Sequence, residues 1–454
     1  MTATVTVSGG WRARTVAATA PWRERGYRTF LTAQVLSAAG SASAPVALAF
    51  AGLQVGGTAG ALGWILAVGS LPQLAFALAG GVVTDRYPRA HILLTGNLAL
   101  AGLQAAAAAL LLMDLASVGA LAGLSAASGT VSAFLEPSTK KTLPTLVPAH
   151  LLRQATALLQ ATLNAVKVVV PVAGGALIAL TDPGYALAFD ALTFIGAAAL
   201  LVRLPPSGGS ANAGRSTAWE EFREGWDVFR SYGWLLLWSR QGCVTVPLWL
   251  VGYVLLGPAY AHEHMGGPAA YGLMAAGWTA GLVLGALLCM VWSPRRLCPV
   301  AAGVSAAMAL PMAAMAVGAP LLVIVAAIVT AATALNISAV SFNVLLPQVI
   351  PSQQLGRVLS LNTAVQLLFL PPAYLLAGQV ATRIGMPRTF GAIASVLLLC
   401  AALPWCRTDF RDLALEPPPS ASPTAEPAVP HPTREPMPTA RPVDQAGSPT
   451  ASPT

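Results

Sequence analysis

Apolar runs such as Leu98–Met113 and Val317–Leu335 recur along nearly the whole of this 454-residue chain. A run of about 20 apolar residues matches the thickness of bilayer hydrocarbon. There a helix satisfies all of its own backbone polar groups, which open structure cannot do. Composition excludes the aqueous alternative. Only 9% of the residues are charged and 56% are hydrophobic, whereas a soluble domain carries about 25% charged residues. The chain therefore reads as an all-α polytopic membrane protein.

Pro, Gly and charge divide the apolar sequence into twelve spans: 29–53, 59–83, 91–113, 116–136, 154–180, 183–203, 233–261, 268–292, 298–318, 320–346, 356–382 and 387–406. The arginines and lysines orient them. All but four of the 25 fall on one side if the N-terminus is cytoplasmic, as expected when translocation of positive charge is disfavoured. Arg383 and Arg388 fall on the other side, and Lys167 and Arg240 fall inside spans. The net charge of +8 needs no nucleic-acid partner. The expected location is the inner (plasma) membrane, multi-pass, with both termini cytoplasmic. The first 27 residues are not expected to open a cleaved signal peptide, because the span that follows is too long for its apolar region and lacks a convincing small-residue cleavage site before the next one. The five cysteines have no paired spacing and are expected to pack as apolar residues.

Five regions follow: an N-terminal segment 1–27, a six-helix half 28–203, a cytoplasmic linker 204–232, a second six-helix half 233–406 and a tail 407–454. The linker opens with a flexible PPSGGSANAG. It then places Trp219, Phe222, Trp226 and Phe229 opposite a charged face, an amphipathic helix expected to lie on the inner membrane surface. From 412 the tail is rich in Pro, Ala, Ser and Thr and reads as disordered.

The two halves repeat each other. LPTLVPAHLLRQATAL (Leu143–Leu158) returns as LPQVIPSQQLGRVLSL (Leu346–Leu361), with Pro144, Pro148, Leu152 and Leu158 matching Pro347, Pro351, Leu355 and Leu361. The same offset, 203 positions, pairs Ala161 with Ala364 and Gly175 with Gly378. Parallel repeats of this kind are a known transporter arrangement.

Between spans two and three stands GGVVTDRYPRA, three charges in a chain short of charge. Its GxxxDRxxR pattern, the twelve spans in two halves and the long central loop resemble the major facilitator superfamily over about residues 25–410. Within it, the two repeated stretches and the WEEFREGW segment are similar to the third drug:proton antiporter group, which includes enterobactin-exporter-like and macrolide-efflux-like proteins. The resemblance implies a major facilitator fold of two six-helix pseudo-repeats, with Gly81, Asp85, Arg86 and Arg89 as a cytoplasmic gate motif. Pro88 stands where Gly is common, and Ala90 and His91 replace the usual basic residue, so one positive contact fewer is expected. VPVAGG on span five resembles an antiporter motif through Pro171, Gly174 and Gly175, with Val170 replacing its leading Gly. The alternative for that segment is ordinary close helix packing.

Ionisable side chains inside spans are costly unless paired or wetted by a cavity. Lys167, Asp190, Glu136 and Arg240 are the candidates, with Gln34, Ser37 and Ser41 lining one face of span one. Many relatives carry an acidic residue at the position of Ser41, so the usual proton carrier is missing. Lys167 and Asp190 either pair with each other or each line a wet cavity, with Glu136 then the titrating carboxylate. Snorkelling to the interface is the alternative for Arg240 and Glu136.

No phosphate-binding GxxxxGK[ST] loop, metal-ligand set or catalytic constellation is present, so no enzyme activity, cofactor or metal is expected. His262, Glu263 and His264 are expected in an outer loop between spans seven and eight. The expected function is secondary transport, with proton-coupled efflux of an amphipathic small molecule (a drug, antibiotic or siderophore-like compound) by a monomer. The alternative is a transporter-like protein that serves as an assembly or sensory partner. Orientation is testable directly. In a cysteine-free background, Asn212→Cys should resist an impermeant thiol reagent applied to intact cells and His264→Cys should react; the opposite pattern would invert the topology.

Overall fold

The computed structural model describes residues 20–86, 89–204, 226–227, 229–292, 294, 296–350 and 352–406. Residues 20, 73, 77–89, 136–137, 140–141, 347, 351–357, 360 and 406 have no described side chains. Among the described residues, twelve helical stretches are long and apolar enough to cross a membrane. They are α1 (Arg25–Gly56), α2 (Ala59–Arg86), α3 (Arg89–Leu112), α4 (Val118–Leu146), α5 (Leu152–Leu180) and α6 (Pro183–Leu201) in the first half. The second half holds α7 (Gly233–His264), α8 (Pro268–Val291), α9 (Leu297–Ala316) and α10 (Leu321–Val349). It ends with α11, in two pieces (Ser352–Leu367 and Leu370–Ile384), and α12 (Met386–Ala402).

The spans expected from sequence are all present, with three differences. α4 runs ten residues past Glu136 because Lys140 and Lys141 are compatible with a helix that has left the hydrocarbon. α11 breaks at Leu368–Phe369, ahead of Pro371 and Pro372, whose missing N–H groups cannot continue the ladder. The third difference is a correction: His262, Glu263 and His264 form the last turn of α7 rather than a loop. Within α7 the helix widens to a π-helical turn over Val251–Leu256, shortly after Pro247.

Local signals fix the turns. Gly57, at φ 65°, ends α1 and donates its N–H to Leu53 O at 2.8 Å, the left-handed cap that glycine adopts without steric cost. Ser117 and Asp182 cap α4 and α6 by accepting from the N–H groups of Ala120 and Gly184.

The end of the bundle where α1 begins is called proximal, and the opposite end distal. At the proximal end the apolar core divides in two. Tyr27, Phe30, Leu93, Leu143, Leu159 and Leu201 cluster in the first half. Phe229, Trp234, Leu297, Phe342, Ile350 and Leu361 cluster separately in the second. At the distal end one cluster spans both halves, from Phe50 and Leu62 to Tyr253, Tyr271, Met312 and Tyr374. The expected surface helix of the linker is described only at its end. There Phe229 is buried in the second half's core, stacked on Trp226 at 5.8 Å, and does not lie on the membrane. The rest of the linker from 205 to 225, which includes most of the expected helix, and the tail from 407 lie outside the described residues.

Two glycine-lined seams close the distal end. α5 meets α8 where a Cβ on Gly175 would fall 2.5 Å from Pro268 O, and one on Gly272 would fall 2.5 Å from Pro171 O. α2 meets α11 where a Cβ on Gly378 would fall 2.8 Å from Gly60 Cα, and one on Gly63 would fall 2.6 Å from Tyr374 O. Pro171 and Tyr374 are related by the same 203-residue offset as Gly175 and Gly378. The sequence repeat is thus a repeat of contact: equivalent positions on α5 and α11 touch the opposite half through their backbones. A side chain there would overpack the seam by about 1–3 kcal/mol. Gly175→Leu should therefore open the distal end, so that a cysteine replacing buried Ser43 becomes reactive to a hydrophilic maleimide applied from the distal side. Unchanged reactivity would show that the seam does not hold that end shut.

Candidate functional site

The distal closure and proximal separation leave a wedge between the halves, and three helices turn polar side chains toward it. On α5, Gln160, Asn164 and Lys167 fall at i, i+4 and i+7, continuing downward the line of Pro171 and Gly175. Gln160 and Lys167 are exposed and Asn164 is half-buried. Val169, 64% exposed, lies about 200° round the helix from Lys167 and marks the outward face. Gly174 packs on Ser43 of α1 while Gly175 packs on α8, so Lys167, below them, points between α1 and α8. The VPVAGG segment is therefore a three-helix junction of α5 with α1 and α8.

On α7 the neighbours leave one face free. Ser239 Oγ donates to Asn362 Oδ1 of α11 at 2.8 Å, and Gly242 lies against Gln366. Gln241 Nε2 donates to Ala301 O and Ser305 Oγ of α9 at 2.9 and 2.7 Å. Arg240 and Val244 occupy the face turned from both α9 and α11 and are exposed. Farther along α7, Leu255 lies beside Gly63 of α2 in the opposite half, so this face looks across the wedge. On α1, Ser41 and Pro45 are exposed, Ser37 is half-buried, and Gln34 Nε2 approaches Thr139 Oγ1 of α4 at 3.5 Å.

Asp190 is elsewhere. It is fully buried inside the first half, where α1, α3 and α6 meet. Gln104 Nε2 of α3 donates to Asp190 Oδ2 at 2.7 Å, and Thr193 Oγ1 donates to Asp190 O at 2.7 Å. Oδ1 has no hydrogen-bond partner among the described residues. A Cβ on Gly40 of α1 would collide with this carboxylate and with the Thr193 hydroxyl. Of the two alternatives left open for Lys167 and Asp190, the pair is not formed, because the two side chains leave their helices toward different neighbours, and Asp190 is buried rather than lining a cavity. Lys167 and Arg240 make no ion pair or hydrogen bond among the described residues.

The remaining candidates divide by what is described. Gly81, Asp85 and Arg86 lie on α2 and Arg89 begins α3, while Glu136 lies on α4. Their side chains are outside the described residues. Among those described, no group of His, Cys, Asp and Glu can hold a metal ion. His262 meets Phe50 of α1 edge-on at 6.3 Å and His264 stacks on Tyr260 at 4.7 Å, so both act as aromatic packing at the distal end. Sequence reasoning missed Gln104, Gln160 and Asn164. Each is an amide within a span, the same signal that marked Gln34.

Two six-helix bundles joined at one end around a polar wedge define the architecture of a secondary transporter. Residues 30–371 match the Major Facilitator Superfamily, and the chain belongs to that superfamily. No curated protein sequence matches it. Among solved structures it is similar to the nucleoside transporter NupG, with a TM-score of 0.67 at 10% identity over 83% of this chain and 98% of that one. It is similar to a D-xylose-proton symporter, with 0.64 at 13% over 83% and 96%. A peptide transporter POT in complex with alafosfalin gives 0.67 at 12% over 86% and 96%. At such identities the likeness is one of fold.

The tight α1–α6 crossing is open to test. Gly40→Val should force Asp190 and Thr193 aside, lower the Tm of the purified protein by several degrees and reduce its monodisperse yield. An unchanged Tm would show that the crossing tolerates a side chain.

Proposed function

We propose that this protein is a proton-coupled secondary exporter that carries an amphipathic small molecule out of the cell by alternating access. One observation carries the reading. The halves meet at the distal end through backbone-to-glycine seams, and a polar wedge lies open at the other. With the proximal end cytoplasmic, as the arginine and lysine bias implies, this is the inward-facing state in which a cytosolic substrate loads. Separation of the distal seams and closure of the proximal ends would complete the cycle.

Efflux and membership of the drug:proton antiporter group rest on the resemblance of the repeated segments. The solved relatives are named for nucleosides, D-xylose and peptides, and one of them is named as a proton symporter. The proposed gate motif, Gly81, Asp85 and Arg86 toward the end of α2 and Arg89 at the start of α3, would latch the cytoplasmic side once closed.

Asp190 is the carboxylate proposed to couple protons. It is off the substrate path, yet it touches α1 at Gly40, one turn from Ser43, which packs on Gly174 beside the α5–α8 seam. Protonation would remove a charge from the α1–α6 crossing and change how firmly α1 supports that seam. Such a coupling needs only a difference in stability between the two states. Asp190→Asn, reconstituted at matched density, should lose the acceleration of efflux by an imposed pH gradient while keeping downhill exchange. Normal gradient dependence would exclude Asp190 as the coupling group. The assembly or sensory alternative gains no support from a wedge lined by polar and charged side chains.

A further inference from the structure

Lys167 and Arg240 stand on opposite halves, and each occupies the face of its helix that looks into the wedge. Both are exposed, and neither is paired among the described residues. Cations at membrane depth are rare unless a cavity or a counter-charge receives them. The buried carboxylate nearest in sequence, Asp190, is turned away and held by Gln104. The rest of the described lining (Gln34, Ser41, Gln160 and Asn164) is neutral.

We infer that the wedge selects an amphipathic organic anion, a molecule with an apolar body and a carboxylate, sulfonate or phosphate group. Lys167 and Arg240 supply the counter-charges. This rests on reading the wedge as the substrate path but not on the direction of transport or on its coupling.

The two cations are staggered in depth. Arg240 lies seven residues into α7 and Lys167 fifteen into α5, which at about 1.5 Å per residue puts them roughly 10 and 22 Å above the proximal ends of their helices. An anion entering from the open side meets Arg240 first. It then reaches Lys167, one turn below the distal seam at Pro171. The cluster above that level is aromatic, with Trp249 stacked on Trp278 at 4.8 Å and Tyr253 beside Tyr271 at 5.9 Å. A flat apolar body suits such a roof. The guanidinium at the mouth can grip an oxyanion with two hydrogen bonds, while the lysine ammonium on its long stem can follow the bound group as the halves move.

Pyrenebutyrate and pyrenebutylammonium, of similar shape and opposite charge, test the inference by fluorescence titration of the full chain in phosphatidylcholine nanodiscs. The native protein should bind the anion about tenfold more tightly, the ratio given by about 1.4 kcal/mol. Lys167→Gln and Arg240→Gln should each reduce that preference and the double variant abolish it, while Lys167→Arg, which keeps the charge, retains it. Equal affinity for the two probes in the native protein, or an undiminished preference in the double variant, would overturn the inference. Failure of proteoliposomes to move pyrenebutyrate under an imposed proton gradient, with the binding preference intact, would instead sink the exporter reading and leave the anion site standing. Gradient-driven transport without charge preference would do the reverse.

Discussion

Backbone contact at the distal end is the constraint on which the rest of the structure depends. Between membrane helices there is no water to expel, so association relies on close van der Waals fit, and small residues permit it. Gly175 with Gly272 and Gly378 with Gly60 bring helices of opposite halves nearer than any side chain would allow. The candidate residues are placed relative to these seams: Lys167 one turn beneath the first, Arg240 on the helix whose far end reaches α2, and Asp190 behind the crossing that braces α1.

A glycine seam also suits a contact that must break. Few atoms interlock and no buried charge is left stranded when it parts. Within each half, close glycine contacts recur, as where Gly281 and Gly285 of α8 meet α10, but buried side-chain hydrogen bonds are added to them. Gln241 reaches across to α9, Ser239 to Asn362 and Gln104 to Asp190, hydrogen bonds that would leave unsatisfied polar groups in an apolar setting if the helices separated.

The fold was legible in the sequence because its signal is coarse and repeated. Span length, charge bias and the Pro144–Pro347 register each survive an error of a few residues. The site was only partly legible. Lys167 and Arg240 stood out because a charge in a span is conspicuous, and the Pro171–Gly175 segment stood out by its small residues. Their partners did not, because which way a side chain leaves its helix depends on crossings far away in sequence. Asp190 sits 23 residues after Lys167 and looked like its mate, yet a glycine on α1 and a glutamine on α3 decide its surroundings. His262 and His264 looked like loop residues because polarity suggested an ended span, whereas aromatic neighbours let α7 continue.

The break in α11 divides the allegiance of one helix. Its first piece belongs to its own bundle, through Asn362 with Ser239, Gln366 with Gly242 and Val365 with Cys243. Its second piece lies along α2 of the other bundle, through Tyr374 and Gly378. α5, its counterpart in the repeat, crosses without interruption despite Pro171. The molecule is thus a symmetric plan executed with unequal stiffness: one arm is a rod, and the other is jointed at Leu368–Phe369. Strain from any relative rotation of the bundles collects at that joint, so the two seams need not part together, and the jointed side can yield while the rod still holds.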